Sequence, residues 1–187
     1  RRVAIGLAEA RQGQLDSALG TLSRTLDSAP ADSRVQLAIG RVYLARAERN
    51  RDASSLARAT EVLERAMGGT APRSEGLALY GRALHLSGNL VDAERILREA
   101  VSTSPVDPEA FLFLADTAER LGHHLMARDA LVNLDALQGD TASAATRASR
   151  ARRIGTLALH GGDAPAAAEY LDRAADAGED SPAVLGL

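Results

Sequence analysis

The sequence predicts an all-α chain built from stacked antiparallel helix hairpins, and three observations carry the prediction. First, one helical pattern is written twice. "RQGQLDSALGTLSRTLDSAP" (11–30) and "LSGNLVDAERILREAVSTSP" (86–105) each place a leucine two, an alanine five, a leucine nine and a proline seventeen residues after a glycine. Second, the turn glycines keep a period. Gly88 to Gly122 is 34 residues, Gly13 to Gly88 is 75 (twice 34 plus 7), and Gly122 to Gly162 is 40 (34 plus 6). A fixed period in this range marks a repeat architecture, in which each hairpin is too small to bury its apolar face alone. Third, the chain is 45% apolar but only 3% aromatic, with no Trp. Its core must be Ala and Leu, which suits closely packed helices.

Taken in order, the period predicts five helix pairs. The first is 2–12 with 15–28, turning at Gly13. The second is 33–48 with 53–67; "ARAERNRDASSLARATEVLERAMGG" carries Ala59, Leu63 and Ala66 at the expected spacing after a turn expected to be seven residues longer than the others. The third is 74–87 with 90–103, the fourth 108–121 with 124–137, and the fifth 143–160 with 164–177. Asp52, Asp107 and Asp163 stand at helix N-cap positions. Pro30, Pro72, Pro105 and Pro182 fall between hairpins, where helices must stop.

Two small-residue markers run through the pairs. Gly6, Gly40, Gly81, Ala115 and Gly155 lie on the first helices, each preceded by Ile, Tyr or Leu, and admit a close neighbour. Ala18, Ala59, Ala93, Ala127 and Ala167 lie on the second helices, where the two helices of a pair must cross.

These markers resemble the tetratricopeptide repeat, with its 34-residue period, apolar-Gly pair, turn, Ala and closing Pro. The fullest unit is "SEGLALYGRALHLSGNLVDAERILREAVSTSPVD" (74–107). The resemblance spans five units, roughly 1–32, 33–73, 74–107, 108–141 and 142–181, read as one repeat domain over 1–187. The family's Trp is absent; its place holds Arg2, Gln36, Leu77, Phe111 or Ala151. The fourth unit has Ala115 for the glycine and His124 for an apolar residue.

The resemblance implies a right-handed superhelical solenoid whose first (A) helices line a face that binds a peptide or partner protein. The residues expected on that face are Arg34, Leu37 and Arg41; Glu75, Ala78, Arg82 and His85; Glu109, Leu112, Phe113, Asp116 and Glu119; and Arg152, Thr156 and Leu159. Two readings of their charge are open: a solvated groove without a marked pattern, or a groove with a basic half in the second and third units and an acidic half in the fourth. Chaperone-binding members hold a C-terminal carboxylate with Lys, Asn and Arg. Here those places hold Val3 and Leu7, Ala38, and Glu75 and Leu79, so that clamp is not expected.

The remaining features exclude other classes. Net charge is -3, from 22 basic residues, all Arg, and 25 acidic ones, too balanced for wholesale nucleic-acid or membrane-surface binding. "RASRARR" (147–153) is the most basic stretch, a phosphate or nucleic-acid contact or else a solvated or partner-facing patch. No apolar run approaches the roughly 20 residues that span a bilayer. There is no Cys, hence no disulfide, thiolate metal site or thiol nucleophile, and the cytosol and periplasm fit equally. His123–His124 reads as a solvated turn pair, His85 and His160 end A helices where a cation is favoured, and no Ser-His-acid arrangement or phosphate loop is present. No cofactor, metal or enzymatic activity is expected.

The chain starts inside a helical pattern without Met and stops inside "SPAVLGL", as an excerpt of a longer protein would. Its last hairpin would then lack a polar cap, and self-association through a terminal repeat is expected. The expected function is a protein–protein interaction scaffold. An accessory domain of a larger bacterial assembly, such as exopolysaccharide export or a glycosyltransferase, is the alternative.

Overall fold

The structure, a computed structural model, describes residues 1–68 and 73–179. Pro72, Pro182 and the segment "SPAVLGL" lie outside them. Ten α-helices and no strand are present among the described residues. They are α1 (Arg2–Arg11), α2 (Leu15–Ser28), α3 (Ser33–Asn50), α4 (Ala53–Met67), α5 (Ser74–Leu86), α6 (Leu90–Val101), α7 (Pro108–Arg120), α8 (His124–Gln138), α9 (Ala144–His160) and α10 (Ala164–Glu179). A 3-10 turn, Gly139–Thr141, follows α8. The chain divides into two compact units, Arg1–Ala110 and Phe111–Leu187.

The turn glycines do what their position demands. Gly13, Gly88, Gly122 and Gly162 have φ of 78°, 80°, 78° and 81°, a left-handed conformation that costs glycine little. In the second hairpin Arg51, at φ 52°, takes that place. The expected long turn there is corrected: only Arg51 and Asp52 separate α3 from α4. The extra residues lengthen the helices instead. Against the 13 and 12 residues of α5 and α6, α3 has 18 and α4 has 15. Seven residues are about two helical turns, roughly one for each antiparallel helix, so the insertion leaves the apolar faces aligned.

Gly6, Gly40, Gly81 and Gly155 on the A helices each receive a leucine from the second (B) helix of the same hairpin. A Cβ added at Gly6, Gly40, Gly81 or Gly155 would lie 2.6, 2.5, 2.5 or 2.8 Å from Cγ of Leu22, Leu63, Leu97 or Leu171. Leu22, Leu63 and Leu97 are completely buried by this knob-into-notch contact, as are Ala18, Ala59 and Ala93 at the helix crossings. Each such leucine contributes about 1.5–3 kcal/mol relative to an exposed one.

Between hairpins of the first unit, Ala18, Leu19 and Leu22 of α2 pack with Val35, Ala38, Ile39 and Val42 of α3. Leu44 with Ala59 and Leu63 of α4 packs on Leu79 and Ala83 of α5. In the second unit Leu131 and Leu134 of α8, Ile154 and Leu157 of α9, and Ala167 and Ala174 of α10 are buried.

Helix starts carry the expected caps. Asp52 accepts from the Ser54 amide at 2.9 Å, Asp107 from Glu109 at 3.0 Å and Asp163 from Ala166 at 3.2 Å. Asp32 caps α3 in the same way through Arg34 at 3.0 Å. Ser74, buried at the start of α5, adds an inter-repeat clasp. Its hydroxyl donates to the Ala100 carbonyl and accepts from the Asp107 amide, both at 2.8 Å.

Candidate functional site

Helices α1, α3 and α5 pack side by side, so their outer faces adjoin. Between them runs a crevice of about 380 Å³. Its floor is apolar: Val3 and Leu7 from α1, Leu37 and Ala38 from α3, and Leu79 from α5, with Ala66 and Met67 of α4 at one end. Gly76 leaves room there, because a Cβ would come within 3.1 Å of Met67 Cε and 3.2 Å of Leu37 Cδ2. Arg34, Arg41, Arg73 and Glu75 form the walls. The crevice thus gathers four of the residues expected from sequence: Arg34, Leu37, Arg41 and Glu75. It also occupies the places of the chaperone-type clamp, and offers mostly aliphatic carbon where that clamp would present side-chain donors.

The charges of the A face are paired from one repeat to the next. Arg41 donates to Glu75 on the following A helix. Arg82 donates to Glu48 on the preceding A helix through Nε at 2.9 Å and reaches Glu109 on the next at 3.4 Å. In the second unit Arg153 of α9 donates to Glu119 and Asp116 of α7 at 2.6 and 2.7 Å. Burial pulls the Arg153 guanidinium down, but the hydrogen bonds to Glu119 and Asp116 outweigh it and hold the group above its ordinary range. Three of these contacts (41–75, 48–82, 119–153) join one A helix to the next across 34 residues. Of the two readings of the face charge, a basic half against an acidic half does not describe these contacts: Arg41, Arg82 and Arg153 are each paired with a carboxylate of a neighbouring A helix. Arg34 is chelated by Asp32, and the Arg34 hydrogen bond holds that carboxyl below the usual carboxylate range.

Other expected face residues fall elsewhere. Ala78 and His85 are buried in α5. Leu112, Arg152 and Thr156 are exposed in the second unit, Phe113 is half-buried there, and the Thr156 hydroxyl donates to the Arg152 carbonyl. Leu159, at 58% exposure, is the most open large apolar residue of α9. Three of the four "RASRARR" arginines are committed within the protein: Arg147 to the Ala142 carbonyl, Arg150 to Asp135 and Gln138, and Arg153 to the α7 carboxylates, while Arg152 is exposed. His124, expected in a solvated turn pair, instead stacks edge-on against His160 with ring centres 5.2 Å apart. Among the described residues no group of three or more His, Cys, Asp or Glu is placed to hold a metal, and no helix is long and apolar enough to cross a membrane.

The hairpin geometry, with its Gly–Leu notch, crossing alanine and left-handed turn, recurs along the chain, and residues 3–53 match the sequence profile of the tetratricopeptide repeat. The match covers the first hairpin and α3, and the fold of the chain is of the tetratricopeptide type. Among solved structures this tetratricopeptide fold is similar to MamA, with a TM-score of 0.76 at 19% identity over 100% of this chain and 94% of that one. It is similar to YrrB, described as a TPR protein with an unusual peptide-binding site, with a TM-score of 0.72 at 17% identity, covering 98% of this chain and 88% of that one. PilF of Pseudomonas aeruginosa gives a TM-score of 0.72 at 19% identity, covering 96% and 76%. No curated protein sequence matches. The tetratricopeptide fold supports a role in protein–protein interaction.

Proposed function

We propose that the chain is a non-enzymatic scaffold that binds a segment of a partner protein on the A-helix face of its first three hairpins. The observation that carries this reading is the α1–α3–α5 crevice. It is concave and aliphatic, and the arginines and carboxylates of its walls can orient a bound chain. The described peptide-binding site of the similarly folded YrrB supports peptide recognition by such a scaffold. Arg34, Leu37, Arg41 and Glu75 make the first contacts; Arg82 extends the face along α5.

A photo-crosslinking residue placed at position 34 should capture a discrete partner in cells that make this protein. The same residue at Arg98, exposed on α6, should not. Capture from position 98 alone would overturn the assignment.

The last hairpin supports a second interaction, self-association. Leu159 of α9 and Leu171 of α10 are exposed at 58% and 38%. Sedimentation over a hundredfold concentration range should show reversible growth in mass that Leu159→Glu removes. A monomer throughout would contradict it.

A further inference from the structure

The crevice carries a charge bias opposite to that of the chain, whose net charge is -3. A second hollow shares Val3, Leu7 and Arg34 with it and continues it along α1. The two hollows are lined by five arginines, Arg1, Arg2, Arg34, Arg41 and Arg73, against two carboxylates, Asp32 and Glu75. Both carboxylates are already engaged, Asp32 by Arg34 and the α3 backbone, Glu75 by Arg41. No carboxylate among the described residues pairs with Arg1, Arg2 or Arg73. Elsewhere on the A helices Arg82 and Arg153 are satisfied by glutamate or aspartate; here cationic groups remain open around an aliphatic floor.

We propose that the crevice selects an acidic segment that carries an apolar anchor. The anchor, an aliphatic or aromatic side chain, seats on Leu7, Leu37 and Leu79, and flanking Asp or Glu side chains meet Arg34 and Arg73. The inference rests on the reading that this face binds a partner, and adds the partner's chemistry. A volume of about 380 Å³ lies at the small end of the ~300–1,000 Å³ range of ligand pockets, which suits an anchor and its immediate neighbours. The apolar contact supplies most of the affinity. Guanidinium forks select carboxylates by geometry and repel basic competitors. Asp32 grips Arg34 through Nε and Nη2, which holds the guanidinium in place and leaves Nη1 to face a ligand. A nucleic acid is also anionic, but no aromatic ring lines the crevice for bases to stack on.

The test is a phage-displayed library of random dodecapeptides, panned on the whole chain and on its Leu37→Arg variant, with folding of both checked by circular dichroism. Enriched peptides should carry an apolar residue flanked by at least two acidic ones, and Leu37→Arg should abolish their capture. A synthetic copy of the leading peptide should lose at least tenfold in Kd against the Arg34→Glu, Arg73→Glu chain, whose two changes are both at exposed positions. Peptides that need Leu37 but show no acidic bias, or that lose less than tenfold on the charge reversal, overturn the charge assignment and leave the groove reading standing. Peptides indifferent to Leu37→Arg, or no enrichment, overturn both. A fluorescein-labelled dT15 that binds more tightly than the peptide, and is lost on the charge reversal, also overturns the inference.

Discussion

Gly81→Ala tests the hairpin geometry at one atom. The new Cβ would lie 2.5 Å from Leu97 Cγ and 2.7 Å from its Cδ2. Leu97 is fully buried, so it has no empty space to swing into and α5 and α6 must separate. Overpacking of this kind costs about 1–3 kcal/mol, and the closeness of the contact puts this case at the upper end. Alanine returns about 1 kcal/mol through helix propensity. The net expectation is a loss of about 2 kcal/mol. Gly20 is exposed in α2, and a Cβ added there would meet nothing within 4 Å, so only the propensity gain remains. Gly20→Ala should therefore stabilise by about 1 kcal/mol. Urea unfolding followed by circular dichroism at 222 nm measures both variants against the parent. Shifts of the same sign would refute the notch as the reason for glycine at position 81.

Three further expectations follow from the same packing. Ala93→Leu, at a fully buried helix crossing, should cost about 1–3 kcal/mol, while Ala53→Leu, exposed at the start of α4, should cost much less; equal urea midpoints would break the assigned register. Ser74→Ala removes the hydroxyl that serves both the Ala100 carbonyl and the Asp107 amide, and should cost about 1–3 kcal/mol with faster hydrogen exchange at Asp107; unchanged exchange would deny the clasp. Hydrogen bonds from Ser55 and Ser54 hold the Asp52 carboxyl at about 2, below its usual value. Its charged form is favoured in the folded state, so its contribution is present above pH 4 and is lost as pH falls from about 4 to about 2. Asp52→Asn should flatten the acid limb of stability in that window, and an unchanged limb would contradict the assignment.

The hairpins were legible because their marks are local. A turn glycine, an alanine five residues on and a leucine nine on set the bounds of α7 at 108–121, against Pro108–Arg120 in the structure. The second hairpin was less so. A glycine ruler finds no glycine where Arg51 adopts the left-handed turn, and a seven-residue insertion reads as loop until both helices are seen to lengthen. The A face was read only in part. Neighbouring helix positions differ by about 100° in direction, so a register shift of one residue puts Arg152 where Arg153 makes the contacts, and His85 in the core. Summing charge within each unit hid the pairs between A helices, which join different units. Opposite charges 34 residues apart, at 41 and 75, 48 and 82, and 119 and 153, were the signal that could have found them.

The most direct test of the account is a hydrogen-exchange footprint of the chain with and without a bound partner segment, captured by crosslinking or selected by display. The account predicts that binding slows exchange in α1, α3 and α5, whose residues floor and wall the crevice, and leaves α2 and α6 unchanged. Protection confined to α2 and α6, with α1, α3 and α5 exchanging as in the free chain, would contradict the claim that this protein binds its partner on the A-helix face.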